Sequence, residues 1–249
     1  MDYDRTPLPE VYRGARTLPP EAMDVWGRAI RAMLPAPSAV ERVVDLGCGT
    51  ARFTRLLAEV LHAPVVGVEP SLRMLGEREI RDPRLARFVA ATAEAIPLAD
   101  ASIDLVFVSM VYHHLRPDAA LAEVRRVLRP GGHVMIRTPT RESLGDFTFF
   151  TFFPEALAID QARMPSREEL VETCGAAGFA RERHERVRQP FAADHADYYR
   201  KISLRGLSSL QLMSDDAFAR GLRDFAVYCR SAERHEPIYE VVDLFLFSR

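Results

Sequence analysis

The sequence is poor in cysteine, has a single lysine and lacks any long apolar run. Its three cysteines, Cys48, Cys174 and Cys229, lie far apart without a paired spacing, which argues against a disulfide framework and against a zinc site. No stretch approaches the roughly 20 apolar residues that span a bilayer, and the opening residues lack the basic and apolar regions of a signal peptide. We expect a cytoplasmic protein that has no metal site and does not enter a membrane.

Charge gives no reason to expect a polyanionic partner. The chain has 33 lysine and arginine residues against 35 aspartate and glutamate residues, a formal net charge of −2, and the arginines are spread along it. Binding to nucleic acid or to an anionic membrane would favour a concentrated basic patch. The sequence therefore favours a small molecule as partner over nucleic acid or membrane, and it does not indicate the oligomeric state.

Short apolar runs alternate with helical patterns over residues 43–138. Strands are predicted at 43–46, 64–68, 87–90, 103–109 and 133–138, and two more at 180–191 and 238–247. Apolar strands separated by helices are typical of a parallel sheet that is covered on both faces. The sequence therefore predicts an α/β fold.

The alternation stops after residue 140, where five phenylalanines cluster between residues 147 and 153. Such a cluster can line an apolar substrate pocket or form the core of a cap, and both alternatives stay open. We predict a single domain over residues 1–249. Its parts are an N-terminal lid and helix (1–37), a core (38–140) and two cap insertions (141–165 and 192–236).

The loop after the first strand carries the main chemical signal. Gly47 and Gly49 stand at the strand-to-helix turn, where glycine permits a positive φ and lets a ligand approach the backbone. Ligands of open α/β sheets bind at the carboxyl ends of the strands, near the switch in strand order. A dinucleotide site would need a third glycine where Arg52 stands. Asp45 also suits an ammonium group better than a pyrophosphate.

Glu69 ends the second strand, about 20 residues after the glycines. An acidic residue at this position can accept hydrogen bonds from both hydroxyls of a ribose. The alternative is a solvated glutamate or a charge at a helix start. Together with the glycine loop, Glu69 favours a ligand that contains a ribose.

These segments together resemble the class I S-adenosylmethionine-dependent methyltransferases, in the branch that contains quinone-biosynthetic and natural-product enzymes. The resemblance covers about residues 40–140, with motifs in the family's order at 45–50, 67–71, 93–98, 104–115 and 128–132. It implies a Rossmann-like, doubly wound, mostly parallel sheet of seven strands with an antiparallel edge strand and a helical cap. It also implies S-adenosylmethionine as cofactor, S-adenosylhomocysteine as product and a small-molecule methyl acceptor.

The resemblance implies roles for the matching residues. Gly47 and Gly49 would let the methionine part pass over the backbone, and Asp45 would lie near its amino group. Glu69 would hold the ribose hydroxyls. The other implied cofactor contacts are Pro70, Met74, Thr92 and Ala93 around adenine and Ser109 near the sulfonium.

Two positions depart from the family pattern. Ala51 stands where the family often has a third glycine, which we expect to be tolerated if the φ of Ala51 is helical. Thr92 stands where many relatives have an aspartate that accepts from the adenine amino group. We therefore expect weaker binding at adenine, with Glu94 sharing the role.

The N-terminal segment is predicted to close over the cofactor. Tyr12 and Arg16 precede the predicted first helix at 21–34, and relatives with a similar opening fold it across the methionine end. Arg16 is therefore expected to pair with the methionine carboxylate. The alternative is a polar tail without a ligand.

His113 and His114 are the candidate catalytic residues, because they follow the fourth strand, where acceptor and methyl group meet in this fold. A histidine there can take a proton from an attacking hydroxyl or amine. Alternatively, the two histidines only shape the pocket. We favour positioning, because a sulfonium is already a good leaving group and methyl transfer mainly needs orientation and desolvation.

The sequence thus predicts methyl transfer from S-adenosylmethionine to a small molecule, with the attacking O, N, C or S atom undetermined. One alternative is a non-catalytic regulatory module that binds the same cofactor. Another is a nucleotide-dependent oxidoreductase, which Arg52 disfavours.

Overall fold

A sheet of seven strands runs through the part of the chain that the computed structural model describes, namely residue 4, residues 8–78, residue 80, residues 82–231 and residues 236–249. The strands are β1 (Val43–Leu46), β2 (Val65–Val68), β3 (Ala86–Val89), β4 (Ile103–Ser109), β5 (Leu128–Thr138), β6 (Ala180–Ala192) and β7 (Ile238–Ser248). Their order across the sheet is β3-β2-β1-β4-β5-β7-β6. The first five are parallel to one another, whereas β7 runs antiparallel to both β5 and β6.

This order confirms the predicted Rossmann-like, mostly parallel sheet. The chain passes from β1 outwards to β3 and then returns to place β4 on the other side of β1. The antiparallel pairing lies at the β6 edge of the sheet, with β7 one place in from that edge. Because the strand order reverses between β1 and β4, the loops after these strands diverge and leave room for a ligand.

Helices cover both faces of the sheet. They are α1 (Leu8–Arg16), α2 (Pro20–Met33), α3 (Arg52–Leu61), α4 (Leu72–Gly76), α5 (Pro117–Val127), α6 (Pro154–Arg163), α7 (Arg167–Ala176), α8 (His195–Ser203), α9 (Ser208–Leu212) and α10 (Asp215–Ser231). Two 3₁₀ turns, Arg141–Asp146 and Thr148–Thr151, follow β5 and begin the cap.

Two large apolar cores lie on opposite faces of the sheet because successive strand residues point to opposite sides. Val43 and Phe107 pack in the first core with Trp26 of α2. Val44 packs in the second core with Leu121 of α5. Both faces are therefore buried, which explains why the strands are apolar along their whole length.

The cap packs onto the first of these cores. Phe149, Phe150 and Phe153 are buried in the same core as Trp26. The segment 141–165, which the sequence analysis fits to no strand or helix, contains two 3₁₀ turns and α6. The cap is thus continuous with the core of the sheet.

The N-terminal segment differs from its prediction. The sequence analysis places Tyr12 and Arg16 ahead of the first helix, which is wrong because both lie on α1. Glu10 in the first turn of α1 and Arg13 and Arg16 in its last turn complement the helix dipole. Apolar residues also recur there with helical spacing, at positions 8, 11, 12 and 15, so the sequence held a signal for this helix that was missed.

The division into a lid (1–37), a core (38–140) and cap insertions (141–165 and 192–236) stays a prediction. β6 runs to Ala192, so its last residue overlaps the start of the second insertion. Residues 1–3 and 5–7 of the lid and residues 232–235 of this insertion lie outside the described residues. None of the helices in the described ranges has the length and apolar character needed to cross a bilayer.

Candidate active site

Three adjoining cavities lie at the carboxyl ends of β1, β2 and β4. We name them the wide cleft, the narrow recess and the cap cavity, with volumes of about 220, 30 and 70 Å³. The wide cleft is lined by Gly49, Glu69, Thr92 and Leu115, the narrow recess by Asp45, Thr50 and Ser109, and the cap cavity by His113, Phe150 and Glu240. Tyr12 and Met110 line all three, so the cavities meet at these two residues.

The structure brings the predicted site residues together at these cavities. The wide cleft holds Gly47, Gly49, Glu69, Pro70, Met74, Thr92, Ala93 and His114. The narrow recess holds Asp45, Gly47 and Ser109. The cap cavity holds Arg16, His113 and His114. Their roles towards a cofactor or acceptor remain proposals.

In the loop after β1, every second residue from 47 to 51 has a left-handed backbone conformation. Gly47 has φ +71°, Gly49 has φ +55° and Ala51 has φ +66°. A Cβ atom on Gly47 would lie 2.8 Å from the side chain of Val111, so only glycine leaves the cleft open there. The helical φ expected for Ala51 is wrong. A non-glycine residue in this conformation costs about 1–2 kcal/mol, which the surrounding packing must offset.

Asp45 is buried at the end of β1, where its carboxylate accepts a hydrogen bond of 2.6 Å from the Thr54 hydroxyl. Burial raises the pKa of Asp45 to about 7. The Thr54 hydrogen bond opposes this rise, Glu69 adds to it and Arg52 opposes it. A cation in the narrow recess would stabilise the charged carboxylate.

Glu69 turns its carboxylate towards the loop after β1. Its two oxygens accept from the backbone N–H of Gly49 at 3.0 Å and of Ser71 at 2.9 Å. Burial raises the pKa of Glu69, and the two N–H donors oppose the rise. A carboxylate can accept about four hydrogen bonds, so each oxygen keeps capacity for a hydroxyl in the wide cleft.

The far end of the wide cleft has one buried wall and one exposed edge. Met74 and Ala93 are buried, whereas Thr92 is exposed and donates a hydrogen bond to the Glu94 carboxylate. Glu94 also accepts from the backbone N–H of Arg116 at 3.2 Å. The structure thus joins Thr92 and Glu94 by a hydrogen bond, and their shared role at adenine stays a prediction.

His113 and His114 lie side by side, with ring centroids 4.0 Å apart. Both ring nitrogens of His113 are buried without a hydrogen-bond partner among the described residues. Burial, with further contributions from His114, Arg163 and Arg16, lowers the pKa of His113 well below its usual value. Burial and Arg163 lower the pKa of His114 to about 4. Both rings are therefore neutral and weakly basic at pH 7, which favours positioning over base catalysis.

A buried polar network connects the narrow recess to the cap cavity. Arg137 donates to the Ser109 hydroxyl at 3.2 Å and to the side-chain oxygen of Gln189 at 3.0 Å. Gln189 in turn donates to Glu240 at 3.3 Å and accepts from Trp26 at 2.5 Å. The sequence analysis missed this network. The signal was available, because charged residues rarely occupy apolar strands unless they are paired.

Arg16 points into the cap cavity, whereas Arg52 lines the narrow recess beside Asp45. Arg52 also donates a hydrogen bond to the backbone carbonyl of Arg16 at the end of α1. Pairing of Arg16 with a methionine carboxylate stays a prediction. Arg52, considered in the sequence only as the residue that replaces a third glycine, is a second cation close to the expected methionine position.

The first helix is held over the cavities by bonds to three other elements. Arg73 of α4 pairs with Glu10 at 2.7 Å, and Arg200 of α8 donates to the carbonyl of Gly14 at 3.3 Å. Arg52 of α3 binds the end of α1. Because Tyr12 of α1 lines all three cavities, movement of α1 would open them together.

Gly206→Ala is expected to loosen α1. Gly206 precedes α9, and a Cβ atom there would lie 2.2 Å from the Cβ atom of Ala15. Overpacking of this kind typically costs 1–3 kcal/mol, so amide exchange across residues 8–16 should accelerate about 10-fold or more. Hydrogen exchange followed by mass spectrometry measures this directly.

The matched control is Gly175→Ala, since a Cβ atom at Gly175 of α7 meets nothing within 4 Å. Amide hydrogen exchange across α1 in Gly175→Ala should equal that of the unaltered protein. Equal exchange in Gly206→Ala would contradict close docking of α1 on this loop.

Comparison with known proteins supports the assignment of the core. Residues 44–136 match the model of a methyltransferase domain. An uncharacterized methyltransferase of Mycobacterium tuberculosis is 42% identical over 130 residues, which cover 52% of this chain and 49% of the relative. The chain thus spans about half the length of the curated relatives it matches.

Solved structures extend the similarity to the whole fold. A putative methyltransferase from an antibiotic biosynthesis pathway of Anabaena variabilis is 22% identical with a TM-score of 0.70, covering 90% of this chain and 96% of that one. Residues 44–136 are thus similar to a methyltransferase domain, and the fold of the chain is similar to that of this neighbour. The [4+2]-cyclase SpnF is 18% identical with a TM-score of 0.63, covering 94% of this chain and 84% of that one, so the fold alone does not fix the reaction.

The residues around these cavities fit the kind of cofactor that the sequence resemblance implies. The glycine loop leaves the wide cleft open, and the Glu69 carboxylate can accept further hydrogen bonds. Asp45 is a buried carboxyl whose charged form a cation would stabilise. These three observations favour a ligand that carries a ribose and an ammonium group.

Proposed function

We propose that this protein transfers a methyl group from S-adenosylmethionine to a small-molecule acceptor. The observation that carries the proposal is the placement of Glu69 in the wide cleft and of Asp45 in the adjoining narrow recess, with Gly47 of the glycine loop lining both. When bound, S-adenosylmethionine supplies an electrophilic methyl group on a sulfonium. Glu69 would hold the ribose hydroxyls, with Pro70, Met74 and Ala93 around adenine.

The remaining residues would orient the reaction. Asp45 would bind the ammonium group, and Ser109, fixed by Arg137, would face the sulfonium end. The acceptor would enter the cap cavity, where the neutral side chains of His113 and His114 position it. A cytoplasmic location and a small-molecule partner belong to this proposal.

Calorimetry with S-adenosylmethionine, S-adenosylhomocysteine, NAD and FAD tests the cofactor. We expect the first two to bind and the dinucleotides not to bind, because Arg52 stands at the third glycine position. Preferential binding of NAD or FAD would replace the proposal with the oxidoreductase alternative.

A second candidate is use of the same cofactor without methyl transfer. It is favoured by the similarity in fold to a protein named as a [4+2]-cyclase. Release of S-adenosylhomocysteine during incubation with a library of hydroxyl, amine, thiol and carbon acceptors separates the two. Cofactor binding without release from any acceptor would favour the second candidate.

Cofactor affinity is expected to rise with pH because of Asp45. The pKa of Asp45 is raised to about 7 in the free protein, so the carboxyl is mostly protonated at pH 6 and must lose its proton to pair with an ammonium group. Affinity for S-adenosylhomocysteine should therefore increase up to about 10-fold between pH 6 and pH 7.5. Asp45→Asn should bind more weakly and lose most of this rise, and an undiminished rise in calorimetry would exclude Asp45 as the ammonium partner.

A further inference from the structure

The lining of the cap cavity includes the carboxylate of Glu240, which has no role among the proposed cofactor contacts. It lies near the start of β7, is 4% exposed, and lines the cavity together with His113 and His114. Its Oε2 atom accepts from Gln189 at 3.3 Å. Within the described part of the chain no residue donates to Oε1, so this oxygen can accept a hydrogen bond from a ligand.

Charged and titratable groups face Glu240 from three other elements. Arg16 of α1, Arg137 of β5 and Lys201 of α8 are cations near its carboxylate, and the phenol of Tyr198 on α8 is also close. Burial raises the pKa of Glu240 to about 7, while the three cations and a hydrogen bond limit the rise. The carboxylate thus changes its protonation state near neutral pH, as an efficient general base does.

The two histidines of the cavity are poorer bases than Glu240. The pKa of His114 is lowered to about 4, and that of His113 lies well below its usual value. At neutral pH their ring nitrogens therefore hold a proton less firmly than the Glu240 carboxylate does. Among the groups that line the cap cavity, Glu240 is the better acceptor for a proton.

The other residues that line the cap cavity indicate which class of acceptor molecule gives up the proton. Its apolar wall consists of Leu144, Phe147, Phe149, Phe150 and Met164. Its polar side adds Arg16 and the ion pair of Arg163 with Asp160, at 2.6 Å. While Glu240 is ionised, Arg16 and Arg163 are balanced by Asp160 and Glu240. Transfer of a proton to Glu240 leaves one net positive charge, which stabilises a developing oxyanion. An aromatic or other apolar molecule with a hydroxyl group fits this combination.

We propose that Glu240 is the catalytic base for an acceptor hydroxyl, which makes this protein an O-methyltransferase of aromatic or other apolar alcohols. The inference rests on the proposed function. The O–H bond breaks and its proton passes to a Glu240 oxygen. The acceptor oxygen forms a bond to the methyl carbon, and the methyl–sulfur bond breaks with its electron pair remaining on sulfur as a neutral thioether. Arg16 faces the oxygen as its negative charge develops.

Binding of phenol and toluene to the full chain saturated with S-adenosylhomocysteine tests this assignment. The probes have nearly the same shape and differ in the hydroxyl that Glu240 would accept from. Ligand-observed NMR from pH 6 to pH 8 should show phenol affinity rising about 10-fold as Glu240 ionises, because charge-assisted hydrogen bonds contribute about 1.5–3 kcal/mol. Toluene affinity should stay constant.

Glu240→Gln should remove the rise for phenol and leave toluene unchanged. Asp160→Asn is the matched control, because Asp160 is a second carboxyl of the same cavity whose pKa is raised by burial, and it should keep the rise. If Glu240→Gln fails to fold, Glu240→Asp replaces it. Its shorter carboxylate should lower phenol affinity at pH 8 without changing that of toluene.

Three results would overturn the assignment: a rise that survives Glu240→Gln, equal binding of phenol and toluene at every pH, or no binding of phenol at millimolar concentration. The cofactor gives a separate readout. If S-adenosylhomocysteine fails to bind, the proposed function itself is wrong. If it binds while phenol shows no dependence on Glu240, only the role of Glu240 is wrong.

Discussion

Glu69→Ala is expected to weaken binding of S-adenosylhomocysteine by 10- to 100-fold. The carboxylate accepts from Gly49 and Ser71 and would add two ribose hydroxyls to the same oxygens. Hydrogen bonds to a charged group contribute about 1.5–3 kcal/mol, and alanine removes the acceptor entirely. Calorimetry at pH 8, where Asp45 is ionised, gives the loss with the least interference from other groups.

Two further variants make the result specific to Glu69. Glu59→Ala removes an exposed carboxylate of α3 that pairs with Arg55 and lines none of the three cavities, and it should leave the affinity unchanged. Glu69→Gln keeps one acceptor oxygen, so its affinity for S-adenosylhomocysteine should lie between those of Glu69→Ala and Glu59→Ala. An unchanged affinity in a folded Glu69→Ala protein would remove Glu69 from the site.

Arg137→Ala is expected to lower the free energy of unfolding by about 3–5 kcal/mol. Arg137 is 1% exposed, and its guanidinium stacks on Trp26 and Phe53 with distances of 4.3 and 4.8 Å to the ring centroids. Alanine would leave a cavity between these rings and take a cation away from the buried Glu240 carboxylate. Urea denaturation monitored by circular dichroism measures the change.

Arg137→Met separates the cost of the cavity from that of the lost charge. Methionine fills much of the space between the rings without hydrogen bonding to Ser109 or Gln189. Because the Glu240 carboxylate remains, this variant should recover the part of the loss that comes from the cavity and keep the part that comes from the missing cation. A loss below about 1 kcal/mol in Arg137→Ala would show that the buried network contributes little to stability.

The core of the fold could be predicted from the sequence because its local signals agree with one another. β1 and β4 were predicted with the same bounds that the structure shows. Their apolar runs are interrupted at the residues where the chain turns. The wide cleft was equally predictable, since glycine and Glu69 occupy fixed places at the ends of strands that lie next to each other in the sheet.

The cap and the acceptor side of the site could not be predicted in the same way. The place of α1 over the cavities is set by ion pairs and hydrogen bonds from α3, α4 and α8, which no local pattern reveals. Glu240 stands about 100 residues after Arg137 in the chain, and only the antiparallel pairing of β7 with β5 brings their strands together. Contacts of this kind depend on strand order, which local periodicity does not encode.

The buried position of Lys201 has a practical consequence for labelling. This side chain, the only lysine in the sequence, is 3% exposed and donates to the carbonyl of Phe191 while pairing with Asp197. An amine-reactive reagent will therefore spare Lys201 while α8 stays packed against β6. Modification of this side chain would then report local unfolding around α8, without an introduced cysteine.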